Sequence, residues 1–526
     1  MVALHAAGSL LLALASGHSH IQQASDFGME GLFQDSLEEV FPAQCQDTPG
    51  LPEALEGTFV IQSTAQYSMG GKEFRAWLDT FWKVHTMKLS KGQLCYKTRL
   101  IRTGFYNNSL HKGTVAPGML FLETSPPREC LALGLCNMMA ANDNNFAVSY
   151  RMRDGNGYRY ALMTDTEVHL DFDVETLDVI GKRDFRDDWG KALHMRKGGG
   201  THLQCEAGKG TSAGDCRGDL YGLVFEQGAS TFVDLYRLRS GHPDVRELVS
   251  RVKVPFAPGS FHSFGLTEDY AILPLSPFTI DSLSLVEGKD LMHALKDNGE
   301  NTPIYIVSLA SGEVQQVTFP GKMYYVHVVN SWQNSTHIIW DAAANPEKSF
   351  SSDNPAIALA ALRNKTVRDT CSNLQSIRRY TIELSSGTVT ESFITDGPSA
   401  IDFPKVNPAH YGLTYCIYYG VEWKHNGHDY GSWALRKHNV CTGEVSFFYE
   451  PSTYVSEGVF VPSGDGEDEG FLFTVRTSGL TNKSTFVTLD ARTMQPVSEV
   501  ELPHRVGWFG HGAWYPADHT DDVLMV

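Results

Sequence analysis

Seven segments of the chain share one hydropathic rhythm: a short apolar run, a polar turn, and a second apolar run. The turn is usually built on Ser or Thr followed by Gly, and it centres on Gly92, Leu177, Gly241, Gly312, Gly387, Gly443 and Met494. Runs such as Thr58-Phe59-Val60-Ile61, Tyr160-Ala161-Leu162-Met163, Tyr221-Gly222-Leu223-Val224-Phe225 and Phe471-Leu472-Phe473-Thr474-Val475 are short, rich in β-branched and aromatic residues, and bounded by turn formers. They read as strands. The hairpins recur roughly every 50 to 80 residues, against about 40 to 50 for a four-stranded propeller blade. Insertions on one face account for the excess. The pattern predicts an all-β chain, a seven-bladed β-propeller over residues 51–526. Helical periodicity is scarce. Ser284 to Leu295 and Pro355 to Leu362 are the best candidates, expected in loops that cap one face.

Upstream of the blades, Leu10-Leu11-Leu12-Ala13-Leu14-Ala15 is a short apolar core ending in a small-residue pattern, so residues 1–15 read as a signal-like leader. Residues 16–50 are mixed and polar, and are expected to wrap the outside. No later segment has the roughly 18 apolar residues needed to span a bilayer. Sequons begin at Asn107, Asn334, Asn364 and Asn482. A glycoprotein on a secretory route is therefore expected, whether secreted, endomembrane, or plastid-bound through a secretory-type leader.

Bulk composition narrows the function. The 526 residues are 42% apolar and 20% charged, and 48 Gly with 23 Pro punctuate the chain as an all-β fold requires. The net charge of −18 disfavours nucleic acid, whose phosphates need a basic surface. Nine cysteines leave at least one unpaired in a monomer. Cys130/Cys136 and Cys205/Cys216 are close enough in sequence to bridge, and most of the others are expected as small buried apolar residues.

The chemistry lies in four histidines. His202, His262, His327 and His511 each follow one of the seven turns at a similar distance, roughly 15 to 25 residues. Asp402 and Glu457 stand in the same place after Gly387 and Gly443. The strand that enters a propeller blade lies nearest the axis, so these side chains are expected to converge there from six blades. Neutral imidazole suits Fe, Zn, Cu and Ni. Structural zinc usually includes cysteine, and the common ferrous oxygenase site uses two His and one carboxylate. Four imidazoles on an octahedral ion would leave two positions for other ligands. Carboxylates behind them would fix their tautomers. The remaining histidines, His410, His425, His428, His438 and His504 among them, read as surface or hydrogen-bonded residues.

His262-Ser263-Phe264-Gly265-Leu266-Thr267-Glu268-Asp269-Tyr270 resembles the second-histidine motif of the carotenoid cleavage oxygenase family, which includes the retinal pigment isomerohydrolase and the stilbene-cleaving oxygenases. His327-Val328-Val329-Asn330-Ser331-Trp332 resembles its third-histidine motif and Gly510-His511-Gly512 its last. Thr164-Asp165-Thr166, Asp402-Phe403-Pro404 and Ser456-Glu457 resemble its three acidic motifs. The resemblance runs in order from about Leu51 to Pro516. It implies a propeller with a helical and loop dome over an axial Fe(2+). The iron would be held by His202, His262, His327 and His511, with Asp165, Asp402 and Glu457 behind them. It further implies a substrate pocket that includes Ala147, Thr164 and Phe264. The implied reaction is O₂-dependent cleavage of a C=C bond in a lipophilic carotenoid, apocarotenoid or related conjugated alkene, giving two carbonyl products. The family's alternative is an iron-dependent retinyl-ester-type isomerohydrolase, and a non-enzymatic ligand-binding propeller is the reading from another class.

Three departures from the family's pattern involve four positions. His202 is followed by Leu203 where the family has Pro, it stands after Gly198-Gly199-Gly200, and His194 is a competing candidate for the same ligand. Asp165 and Asp402 replace the usual Glu, so either the backbone moves in or a water bridges. Ala147 replaces a small branched residue near the vacant iron position. Such proteins usually make peripheral membrane contact by dipping an apolar patch into one leaflet; Tyr270-Ala271-Ile272-Leu273-Pro274-Leu275 and Ala356 to Leu362 are the candidates, with a buried strand or packed helix the favoured reading of each.

Overall fold

The computed structural model describes residues 28–53, 55–130, 136, 143–144, 148–163, 165–166, 168–187, 197–227, 230–259, 262–345, 357–370, 375–395 and 400–517. The leader, Ala147, Thr164 and His194 lie outside the described residues. Seven antiparallel-dominated sheets of four to six strands follow one another along the chain. Their inner strands touch in order around a closed ring: Phe509–Pro516 meets Val148–Asp154, Gly265–Leu266 meets Tyr324–Gln333, and that strand meets Ile401–Val406. Val459–Pro462 completes the circuit by contacting both Ile401–Val406 and Phe509–Pro516. The ring is a seven-bladed β-propeller. The carboxyl-terminal strand closes it, because Phe509–Pro516 pairs with Gly57–Gln66 as the inner strand of the first blade.

The seven turns are the outer hairpins of the seven blades, and each central residue is left-handed. Its φ is 73° at Gly92, 60° at Leu177, 88° at Gly241, 73° at Gly312, 70° at Gly387, 80° at Gly443 and 60° at Met494. Five share one bond, from the left-handed residue's N–H to the carbonyl four residues earlier. These run Leu177 to Asp173, Gly312 to Ser308, Gly387 to Glu383, Gly443 to Asn439 and Met494 to Asp490. Glycine meets this φ without a Cβ penalty. Leu177 and Met494 meet it because their side chains are buried between blades, at 2% and 1% exposure.

The core is divided by the same geometry. Seven apolar clusters lie between consecutive blades, and two more lie under the loops that cap one face. The cap holds short helices at Ser282–Val286, Leu291–Ala294, Leu359–Leu362 and Lys365–Asp369. Its longest helix among the described residues, Gly104–Lys112, was not expected from periodicity; Thr103 caps it by accepting the Tyr106 N–H. No described helix is long and apolar enough to cross a membrane.

The structure changes two expectations and decides between the two readings of the apolar stretches. The cysteines are mostly paired: Cys45–Cys95 and Cys416–Cys441 join Cys130–Cys136 and Cys205–Cys216. Cys45 and Cys95 are 50 residues apart but face each other in adjacent strands, a register no sequence spacing reveals. The stretch Tyr270 to Leu275 is a core strand, with Ala271, Ile272, Leu273 and Leu275 buried, so it offers no membrane patch. Ile357, Leu359 and Leu362 are likewise buried, because they pack beneath the cap. Residues 28–50 both wrap and penetrate. Val40–Asp47 is the outermost strand of the first blade, while Met29, Leu32 and Phe33 enter the core between the sixth and seventh blades.

Candidate metal centre

The inner strands break or bulge where a functional side chain leaves them. His202 sits between the glycine-rich strand Lys197–Gly200 and Gln204–Cys205. His262 precedes Gly265–Leu266, and Glu457 occupies the gap between Thr453–Val455 and Val459–Pro462. Register shifts fall between Tyr325 and Val328, around His327, and between Asp402 and Lys405. A bulge re-aims a side chain that regular alternation would send into a blade. Asp165 arrives differently, from the connection between Gly157–Met163 and Leu170–Phe172 of the second blade.

These elements bring all four imidazoles together. The Nε2 atoms of His262 and His327 are 3.1 Å apart, as are those of His327 and His511. Ligand atoms of His202, His262 and His511 all lie within 4.8 Å of one another. Three carboxylates stand behind them. His262 Nδ1 lies 2.8 Å from Asp165 Oδ1, His327 Nδ1 lies 2.6 Å from Asp402 Oδ1, and His511 Nδ1 lies 2.7 Å from Glu457 Oε2. Glu457 Oε1 also accepts the Gly512 N–H at 2.7 Å. Both aspartates thus reach their imidazoles directly despite the missing methylene. At Asp402 the backbone bends to allow it: Phe403 is left-handed at φ 51° and donates its N–H to Asp402 Oδ1.

Burial favours the neutral, ligating form of His202, His327 and His511. Burial, the largest cause, holds His202 and His511 well below the usual imidazole range and also lowers His327. Burial raises Glu457, opposed by Lys405, whose Nζ is 3.6 Å from Glu457 Oε2. With Nδ1–H donated to a carboxylate, Nε2 carries a bare lone pair. Two such lone pairs 3.1 Å apart repel, so these close approaches are not hydrogen bonds. His202 Nε2 is buried with no hydrogen-bond partner among the described residues. A cation at the focus turns that repulsion into ligation. Donors that each reach one ion at roughly 2.1 Å lie about 3 Å apart when adjacent, which fits the spacing. The residues present therefore suit a metal, and the all-imidazole donor set suits a transition metal.

Phe264 is fully buried and lines a cavity that reaches His202, His327 and His511. Two residues near the centre had no role in the sequence reading. Phe403 packs its ring centroid 4.8 Å from that of His327 and 5.1 Å from that of His511. Lys405 is the other. Phe403 stands inside the Asp402 motif and Lys405 one residue beyond it, and the motif gave no direction for either side chain. Leu203, in place of Pro, lends its carbonyl to the Tyr150 hydroxyl at 3.0 Å.

Comparison with known proteins agrees with this architecture. The family model described as retinal pigment epithelial membrane protein matches residues 33–516. The chain is 22% identical over 546 residues to the beta,beta-carotene 15,15'-dioxygenase of Gallus gallus, covering 93% of this chain and 98% of the relative. It is 23% identical over 523 residues to the mitochondrial carotenoid-cleaving dioxygenase of Homo sapiens, covering 88% and 87%. The cobalt-substituted apocarotenoid oxygenase of Synechocystis superposes with a TM-score of 0.76 at 18% identity, covering 93% and 98%. With a match spanning nearly every blade and the motif histidines gathered on one axis, this chain belongs to the retinal pigment epithelial membrane protein family, that of the carotenoid cleavage oxygenases.

Proposed function

We propose that this protein is an Fe(II)-dependent dioxygenase that splits a C=C bond of a carotenoid, apocarotenoid or related conjugated alkene into two carbonyl products. The observation that carries the reading is the convergence of four imidazoles, three of them backed by carboxylates, on the propeller axis. His202, His262, His327 and His511 would hold the iron. When bound, ferrous iron supplies the one-electron chemistry that lets ground-state O₂ react with an alkene. The chain's own groups orient and exclude. Asp165, Asp402 and Glu457 hold Nδ1 protonated and aim Nε2 inward. Phe264 and Phe403 present apolar surface beside the imidazoles, suited to a lipophilic substrate and hostile to bulk water. No side-chain acid or base is needed at the reacting bond. The atoms balance simply: one C=C bond and one O₂ give two C=O groups, each taking one oxygen. The similarity to proteins named as carotenoid dioxygenases in Gallus gallus and Homo sapiens supports the same class.

The test is turnover of a polyene and stilbene panel under ¹⁸O₂ with iron-loaded protein, read by mass spectrometry. Label is expected in both carbonyl products. Label in neither, or turnover under strict anaerobiosis, sinks the oxygenase reading and favours ester isomerohydrolysis.

The proposed compartment is the secretory route. Four disulfides require an oxidising setting. The asparagines of all four sequons are exposed. A shift in gel mobility after endoglycosidase treatment of the native protein is expected.

A further inference from the structure

Among the described residues, three of the four imidazoles are aimed by a carboxylate on Nδ1 and His202 is not. Among the described residues its nearest carboxylate contact is Asp165 Oδ1, 3.8 Å from Nε2, on the side that faces the other histidines. Upstream, Gly198-Gly199-Gly200 gives the strand little stiffness of its own. Downstream, Cys205 is bonded to Cys216, and both line the cavity beside the histidines.

The loop closed by that disulfide is firmly seated. Its strands Gly210–Ser212 and Asp215–Cys216 form a hairpin whose second strand joins the second blade, Asp215 opposite Arg151. Arg151 and Asp215 form a buried two-point ion pair at 2.8 and 3.0 Å. The Arg151 N–H donates to Gly214 O at 2.8 Å. On the first blade, the Trp514 N–H donates to Ala213 O at 2.9 Å, and the Ser212 hydroxyl donates to Trp514 O. Trp514 is three residues beyond His511. Toward the sixth blade, the Gly208 N–H donates to Tyr411 O at 2.8 Å. Gly214, at φ 79°, approaches so closely that a Cβ there would lie 2.6 Å from Ser149 O and 2.7 Å from Ala513 Cβ. The loop is a plug on the propeller axis, pinned to three blades that are not its own.

The geometry points to the Cys205–Cys216 disulfide as the positioning element of His202. It ties the segment that carries this ligand, three residues before Cys205, to the pinned plug, taking the part that carboxylates take for the other three histidines. The inference rests on the reading of the four imidazoles as a metal site. It concerns position only; the disulfide touches no substrate.

The probe is cobalt(II) added to the metal-free full chain. Affinity and ligand-field absorption are compared for the wild type, Cys205→Ser/Cys216→Ser, His202→Ala, and Cys416→Ser/Cys441→Ser as a remote disulfide control. Loss of the plug disulfide is expected to weaken cobalt binding roughly 10- to 100-fold, the range for loss of a ligand's outer support. It should also move the spectrum toward that of His202→Ala. The control pair should lose thermal stability but keep the wild-type spectrum. If the plug variant keeps wild-type affinity and spectrum, the inference is overturned while the metal reading stands. If the wild type binds no cobalt, the metal reading itself falls and takes the inference with it. Should the cysteine variant not fold, Asp215→Asn loosens the plug with the disulfide intact. A shift toward the His202→Ala spectrum supports the inference, and an unaltered spectrum overturns it.

Discussion

At Asp402 a carboxylate shorter than the family's usual Glu still lies 2.6 Å from His327 Nδ1. The length lost from the side chain is made up by the backbone, whose bulge and left-handed Phe403 carry the group inward. Its negative charge, more than its shape, makes the imidazole a better donor. Asp402→Asn keeps the shape and removes the charge. It is expected to lower metal affinity roughly 10- to 100-fold with little change in fold, read by cobalt titration and circular dichroism. Sequence alone located Asp402 by its offset and its Phe-Pro context. It could not say whether a water would intervene, because that depends on a φ value at Phe403 that no propensity favours. Asp165 was harder to place by spacing, since it lies on a connection between the second and third strands of its blade instead of on an inner strand.

At the scale of elements, the outer hairpins were legible because a left-handed turn is a local requirement and Gly meets it. Leu177 and Met494 show the limit of that rule. Replacing Met494 by Gly relieves roughly 1 to 2 kcal/mol of left-handed strain, but it exposes no new polar partner and removes a buried side chain worth roughly 1.5 to 3 kcal/mol plus a cavity term. The Met494→Gly variant is therefore expected to be less stable, by about 1 kcal/mol or more, in chemical denaturation. The cap follows another logic. Asp79 is buried and accepts the N–H groups of Phe121 and Leu122 at 2.9 and 3.0 Å, holding that segment down. Burial pushes its carboxyl up to about 7, from 3.8. The folded state therefore binds the extra proton across that interval. The stability linked to it is full below 3.8 and is lost as pH rises through about 7. Thermal midpoints measured at about pH 5.5 and 8 should differ less in Asp79→Asn than in the wild type. An unchanged difference would show that this carboxyl does not titrate in the window.

For the whole molecule, the decisive event is closure. Phe509–Pro516 joins the start of the chain to its end and places His511 beside histidines from the third, fourth and fifth blades. Gly512 sits in this seam. A Cβ there would lie 2.7 Å from Val459 Cγ2 and 2.9 Å from Phe59 Cε2. Gly512→Val overpacks the seam and is expected to cost roughly 1 to 3 kcal/mol, seen as a lower thermal midpoint together with weaker cobalt binding. A loss of stability with undiminished metal affinity would separate closure from the site.

The sequence by itself determined the strands, the seven outer turns, the all-β class and the identity of the histidines, since alternation, turn chemistry and ordered motifs act over a few residues. Only the tertiary structure decided that His327 Nε2 comes within 3.1 Å of both His262 and His511. The same holds for the pairing of Cys45 with Cys95 and for the plug of residues 205–216 that crosses the axis to other blades. Those contacts join positions tens to hundreds of residues apart. Their distances are set by how seven twisted sheets pack and close, which no local preference encodes.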